Sequence, residues 1–342
     1  MARLRKPAGI GLRTERGVMA FVVGDVGGTN TRLALGDSAG LRGATTYRNC
    51  EFGSFYDVLD CFLRQNAPHS VTGCCFAIAG PVSGQIARLT NRDWSLSVSV
   101  LKRRLPELES VVLMNDLSAL GHALQDLRQD QVCEIRSPEQ VGATGQTLVV
   151  GLGTGMNVSL RVGAQVAQAE LGHACLSTDL SRRLERQLGS HHQEFRSNED
   201  LFSGRGLERV YQIMTGERLS GAEIQQRSDT DSSSAARHTL EFLSHLLGVF
   251  VCDLRHVYLP MGGVFFTGSV ARTLLHGQSS ASFLQGFDQG DTPPQVNTDI
   301  GLFLITDDAA ALRGAARVLN QTQDELPTNG IGLHQTRRGG GA

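Results

Sequence analysis

Between Val22 and Leu35 the chain reads VVGDVGGTNTRLAL. Asp25 stands just ahead of Gly27, Gly28, Thr29 and Asn30. A backbone that approaches a phosphate closely favours glycine, because a Cβ would collide or bar the required dihedrals. Consecutive N–H groups in such a bend form a concave anion site, and Thr29 adds a hydroxyl donor. Asp25 would repel phosphate unless a divalent cation lay between them. Mg2+ suits that position, since it takes hard oxygens from few carboxylates, water and phosphate. The same residues also suit a strained hairpin in which Asp25 caps its own turn.

GLGTG, Gly151–Gly155, repeats the logic with Gly153, Thr154 and Gly155. A dinucleotide fingerprint would need a third glycine at 156 and a helix after it. Position 156 is Met, and the residues that follow alternate like a strand. No G-x-x-x-x-G-K-[ST] occurs, which excludes a P-loop on motif grounds. Two Gly/Thr bends in one chain point to a pair of phosphate clamps.

Asn115-Asp116 ends a buried apolar run and opens a helical stretch. The pair suits a helix cap. It equally suits a general base at a strand's C-terminal end, where open α/β sheets take their ligands, and both roles can hold together. Glu170 and His173 lie three residues apart in ELGH. They make a poor zinc site, because no further ligands follow at fixed spacing. Hydrogen bonding to a polyhydroxylated substrate suits them better, and a plain surface pair is the alternative. Ser197-Asn198-Glu199 reads locally as a helix start, and His191-His192 as exposed.

The chain has 342 residues, enough for about two domains. Lys+Arg is 32 and Asp+Glu is 34, a net charge of −2. That leaves no basic excess for nucleic-acid binding. No apolar run nears the roughly 18 residues of a membrane helix. The seven cysteines are an odd count with no C-x-x-C pair and no secretion signal, which predicts reduced thiols in a cytoplasmic protein. Residues 1–19 are basic without a signal-peptide core and read as a disordered extension, with translation from Met1 or Met19 left open.

Elements must carry these residues. Strands are expected at Ala20–Asp25, Thr31–Leu35, around Thr45–Tyr47, at Cys74–Ala79, Val111–Met114, Leu148–Val150, Met156–Val162, Gly263–Thr267 and Ile300–Ile305. Helices are expected at Ser54–Gln65, Val98–Leu105, Leu117–Leu127, Ala235–Val257 and Ala309–Gln321, with further helical sequence before 235. Each half opens on a hairpin with a Gly/Thr bend and continues with strands and helices. That predicts an α/β fold of two similar halves enclosing a cleft.

In combination these motifs resemble the bacterial-type glucokinase family, within the hexokinase–actin group of ATP-dependent kinases. GDVGGTNTRLAL resembles its first phosphate motif, GLGTGMNVSL its second, and GGVFFTGSVAR its adenosine motif. AIAGPVSG with LTNRDW, then ND, ELGH and SNEDLFSG, are similar to its sugar-side segments. The resemblance spans about residues 20 to 320. It implies a two-domain actin-like fold of the hexokinase type. A small domain would take 20–117 with the returning helix 309–322, a large domain 118–308, and a flexible tail 323–342. It implies phosphorylation of glucose at the 6-hydroxyl by ATP, the first step of glycolysis, with Asp116 accepting the hydroxyl proton. Asn115, Glu170, His173 and Glu199 would hold the sugar. Gly27, Gly28, Thr29, Asn30, Gly153, Thr154 and Gly155 would cradle phosphates, Gly268 would approach the adenosine, and Asp25 would engage Mg2+, mostly through water. Leu171, Cys175-Leu176, Ser269 and Asn157 depart from the pattern without removing any of these groups. A kinase for fructose, mannose or an amino sugar, and a sugar sensor without turnover, are the alternatives. A homodimer is an assembly the sequence leaves open.

Overall fold

The computed structural model describes residues 20–37, 40–66, 70–138, 145–231, 234–289 and 299–324. The extension expected at 1–19, and 325–342 of the expected tail, lie outside them.

The first sheet is built from β1 (Ala20–Val26), β2 (Asn30–Asp37), β3 (Gly40–Arg48), β4 (Val71–Ile78) and, after a small three-stranded flap, β8 (Ser110–Asn115). The flap is β5 (Val82–Ser83), β6 (Ile86–Arg88) and β7 (Ser95–Ser97). The sheet runs β3-β2-β1-β4-β8; the first three strands form an antiparallel meander, and β4 and β8 join parallel to β1. Alternate residues feed two cores, as the pleat requires. Val22, Leu33, Cys74 and Phe76 pack under α1 (Phe55–Asn66), which contributes Phe55, Val58, Leu59 and Phe62. Phe21, Val23, Cys75 and Ala77 face the other way. A short α2 (Val98–Arg104) precedes β8, and α3 (Asp116–Ala123) follows it directly.

The second sheet repeats that plan. Its strands are β9 (Val132–Arg136), β10 (Thr147–Leu152), β11 (Met156–Val162), β12 (Gln165–Gln168), β13 (Val264–Thr267) and β14 (Leu302–Ile305), in the order β12-β11-β10-β13-β14-β9. Again three antiparallel strands lead, and two more join parallel to the first; β9 is an antiparallel addition at the edge. Helices α4 (Thr178–Leu188), α5 (Asn198–Leu201), α6 (Gly204–Thr215), α7 (Gly221–Thr230), α8 (Ala235–Tyr258), α9 (Ser269–Leu274) and α10 (Ser279–Asp288) surround it. The interior of α8 is buried along most of its length, from Ala236 to Arg255. The last helix, α11 (Ala310–Asp324), lays Ala311, Leu312, Ala315, Ala316 and Leu319 on the second face of the first sheet, beside Ala119 of α3. It runs two residues beyond 322, so 323 and 324 are helical rather than tail. Gly314 abuts Ala119, where a Cβ would come within 1.7 Å of the carbonyl oxygen. The two helices therefore cross at backbone contact.

Helix α3 touches both sheets. Leu117 packs onto Gly151 at the end of β10, where a Cβ would lie 2.6 Å from Leu117 Cδ2. Gly121 meets Val166 of β12 in the same close way. All seven cysteines are free. Among the described residues no helix is long and apolar enough to cross a membrane.

Candidate active site

The β1–β2 hairpin bends at Gly27–Asn30. Its carbonyls are all taken. Asn49, fully buried, donates through Nδ2 to Gly27 O (2.7 Å) and Gly28 O (3.3 Å). Its backbone N–H donates to Thr29 O (2.9 Å), and Gly27 N–H donates to Asn30 O (3.0 Å). Asn49 Oδ1 in turn accepts from the Thr31 hydroxyl at 2.8 Å. In a trans peptide the N–H points opposite the carbonyl. The N–H groups of Gly28 and Thr29 therefore face away from Asn49, and the Thr29 side chain is exposed beside them. These N–H groups are donors on the surface where the sequence expects an anion, and the glycines suit close approach rather than a strained turn. Neither Gly27 nor Gly28 has a left-handed backbone. A Cβ on Gly28 would meet only Asn91 Cβ, at 3.4 Å. Gly28 keeps the outer surface bare, whereas a Cβ on Gly27 would press on Asn30 O at 3.2 Å.

The β10–β11 hairpin has the same construction. Gly153 O accepts from Gly204 N–H at 2.8 Å, and Gly155 O from Gly153 N–H at 2.9 Å. The Thr154 N–H thus points away from Gly204, its side chain is exposed, and a Cβ on Gly153 would meet nothing within 4 Å. Gly155 differs, because a Cβ there would strike Glu199 Oε2 at 2.5 Å. Gly268 follows β13, whose Thr267 is the register partner of Gly151. With φ of +99° and a would-be Cβ 2.2 Å from Leu152 O, position 268 accepts glycine only. The expected adenosine turn thus lies against the base of the second bend.

Asp116 lies between the two bends in the chain, directly after β8. Asp25, Ala77 and Met114 share one level across β1, β4 and β8. At about 4.8 Å per strand, Asp25 and the end of β8 are about 10 Å apart. Asn115 caps α3 by accepting Leu117 N–H at 3.0 Å, and Asp116 Oδ1 accepts from the same N–H at 3.0 Å. The capping reading of this pair therefore holds in the structure. Burial, and then the negative charge of Asp25, push the Asp116 carboxyl up to about 7, against weaker lowering by its hydrogen bonds. A base for a sugar hydroxyl works best with a pKa near the working pH. Asp25 is raised as well, by burial first, with Arg32 opposing and Asp308 adding repulsion.

Arg32 escapes the sequence reading, although the hairpin register points to it. It is the direct cross-strand partner of Asp25 and bonds Asp25 Oδ2 through Nη1 at 3.2 Å. Asn49 carries no such signal, since it sits in an isolated 3-10 turn beyond β3.

Glu170, His173 and Glu199 gather around the start of β11. Asn157 arranges them: its Nδ2 donates to Glu170 Oε2 (3.0 Å) and its Oδ1 accepts from Leu171 N–H (3.0 Å). Gly172 lies so close to Met156 O that a Cβ would be 2.0 Å away. The side chains of Glu170 and His173 are 66% and 73% exposed and 4.0 Å apart, open to a ligand. Ser197 caps α5, as its sequence suggests, in a capping box with Asp200. Glu199 sits inward. Its Oε2 accepts from Met156 N–H at 3.1 Å, and its Oε1 from Arg205 Nη2 at 3.0 Å. Asn115 Nδ2 reaches Gly80 O at 3.3 Å, tying the AIAGP segment to the same edge.

Known proteins resemble this chain along most of its length. A glucokinase of Cronobacter sakazakii is 28% identical over 323 residues, covering 89% of this chain and 98% of that protein. One of Klebsiella pneumoniae is 29% identical over 319 residues, with 89% and 98% covered. A crystal structure of glucokinase from an Antarctic psychrotroph superposes with a TM-score of 0.75 at 28% identity, across 88% of this chain and 99% of that one. The Glucokinase sequence profile matches residues 22–322, a span holding both sheets, both Gly/Thr bends and the carboxylate between them, and so the chain belongs to the Glucokinase family.

Proposed function

We propose that the chain transfers the γ-phosphoryl group of ATP to the 6-hydroxyl of glucose, giving glucose 6-phosphate and ADP in the cytoplasm. The observation that carries this reading is Asp116, a half-buried carboxylate raised to about 7, at the start of the helix that packs Leu117 onto the second sheet. Domains of 20–117 with 309–322, and of 118–308, would close on the two substrates.

In this mechanism Glu170, His173, Glu199 and Asn115 bind the sugar hydroxyls. Asp116 Oδ1, held by the Leu117 N–H, sets the direction of the carboxylate. Asp116 accepts the 6-hydroxyl proton as that oxygen bonds to the γ-phosphorus and the bond to the β–γ bridging oxygen breaks. The N–H groups of Gly28, Thr29 and Thr154, with both threonine hydroxyls, receive the phosphates, and the Gly268 backbone leaves room for the adenosine. Asp25 suits Mg2+. It is a hard, partly desolvated oxygen donor, and among the described residues no cluster of three or more acidic, Cys or His groups forms a ready-made metal cage. A single carboxylate with phosphate and water is how this ion is commonly held. When bound, it would neutralise phosphate charge. Catalysis here is mainly positioning and charge neutralisation.

An ADP-release assay with glucose, fructose, mannose and glucosamine, with and without Mg2+, tests the reading. Turnover highest in kcat/KM for glucose and dependent on Mg2+ is expected. ADP formation at the same rate with no sugar present would refute it.

A further inference from the structure

Arg205 has no part in the mechanism above, yet it lies where the two halves of the site meet. The segment from Glu199 to Gly204 grips the second bend at both ends. Gly204 N–H holds Gly153 O at 2.8 Å, and Glu199 Oε2 holds Met156 N–H at 3.1 Å. Arg205 closes the ring, its Nη2 lying 3.0 Å from Glu199 Oε1. Glu199 is wedged against Gly155, where even a methyl group would be 2.5 Å from Oε2. So one carboxylate serves a sugar pocket through one face and shapes a phosphate bend through the other.

The Arg205 side chain is 76% exposed, on the first turn of α6. A surface ion pair of this kind adds little to folding stability, so stability does not account for it. A guanidinium fork matches carboxylate and phosphate equally well. Arg205 already contacts the first and is one residue from the backbone that supports the site of the second.

Resting on the kinase reading, we propose that Arg205 is a positioning residue that couples sugar occupancy to nucleotide occupancy. Without sugar it secures Glu199 on the second bend. When sugar hydroxyls draw on Glu199, the guanidinium turns to the phosphates arriving at Gly153–Gly155. Sugar binding thereby brings a cation to the triphosphate.

Calorimetry with glucose and a non-hydrolysable ATP analogue plus Mg2+ tests this on wild type, Arg205→Ala and Arg205→Lys. In wild type, saturating glucose should tighten analogue binding at least about fivefold, the lower end of ordinary site–site coupling. In Arg205→Ala that factor should fall to about one while glucose alone binds as tightly as before, and Arg205→Lys should regain part of it. The proposal is overturned if wild type has no coupling, if Arg205→Ala keeps the wild-type factor, or if it weakens glucose as much as the analogue. The kinase reading stands or falls separately. Coupled binding without ADP formation would sink that reading and leave the coupling, whereas glucose-dependent turnover with full coupling in Arg205→Ala would do the reverse.

Discussion

Asp116 ties function to stability through one proton. Its carboxyl is raised from the ordinary 3.8 to about 7, chiefly by burial and secondly by Asp25. In the unfolded chain the group titrates near its ordinary value, about 3.9. Between about pH 4 and pH 7 the native state therefore keeps a proton that the unfolded state has lost. Where the native state binds more protons, stability falls as pH rises. The loss starts near pH 4 and is complete just above 7. The shift is about three pH units at about 1.4 kcal/mol each, so ionised Asp116 costs the fold up to about 4 kcal/mol. Asp116→Asn removes the charge while its amide oxygen still accepts the Leu117 N–H. The variant should match wild type closely at pH 4.5 and be more stable at pH 8 by about 2 to 4 kcal/mol. At about 2 °C per kcal/mol for a chain of this size, that is a rise in Tm of several degrees. The same sample should lose about 100-fold or more in turnover, the range for a positioned proton acceptor. Scanning calorimetry of both proteins at the two pH values, beside an ADP-release assay, measures both effects. A stability difference that does not change with pH, or a wild type more stable than the variant at pH 8, would refute the account of Asp116 as a desolvated, strained base.

Three further outcomes follow from the same geometry. kcat/KM for glucose, which reports the free enzyme, should fall about tenfold per pH unit below about 7 and level off above it. A flat profile from pH 5.5 to 8 would separate Asp116 from the chemistry. Asn49→Ala strips partners from the buried Thr31 hydroxyl and from Gly27 O. It should cost about 2 to 4 kcal/mol of stability, read by denaturant unfolding, at about 1–3 kcal/mol per orphaned buried group, and should raise the KM for ATP. Gly153→Ala should leave stability intact. A Cβ there meets nothing within 4 Å, so Tm should stay within about 1 °C of wild type, by the same scaling of stability to Tm. The KM for ATP should nevertheless rise, because the methyl group intrudes on the bare outer surface of the bend.

What the sequence made legible was whatever is held by neighbours close in the chain. Both hairpins follow from apolar runs around Gly/Thr bends, and the register that pairs Asp25 with Arg32 follows from counting outward from the turn. Ser177, Ser197, Ser203 and Ser220 each cap a helix. Local capping chemistry thus marks starts in a region that periodicity alone leaves as one helical stretch. Neither glycine of the first bend has a left-handed backbone, which leaves close approach rather than turn strain as the reason for them, although the two look the same in sequence. Asn49 and Arg205 were beyond reach. Each acts on a bend far away in the chain, and only tertiary packing brings them there.

The repeated plan explains why one carboxylate rather than two stands ready for chemistry. Asn115-Asp116 follow β8 and start α3. Asp307-Asp308 follow β14 and precede α11, with Asp307 Oδ1 accepting from Ala309 N–H at 2.9 Å. The two helices pack on each other, and each is entered through a polar pair at the end of a parallel strand. The halves diverge in two places. Asp308 is exposed and pairs with Arg272 of α9, at 2.5 Å, whereas the largest influences on Asp116 are burial and another negative charge. The residue before the last in β1 is Asp25, but in β10 it is Gly151, because Leu117 of α3 fills the space a side chain would need. Inserting α3 against the second sheet leaves its hairpin without a carboxylate, and seats Asp116 beside the one that remains. A duplicated scaffold thus becomes directional, with the carboxylates of Asp25 and Asp116 on one side and a bare glycine bend on the other.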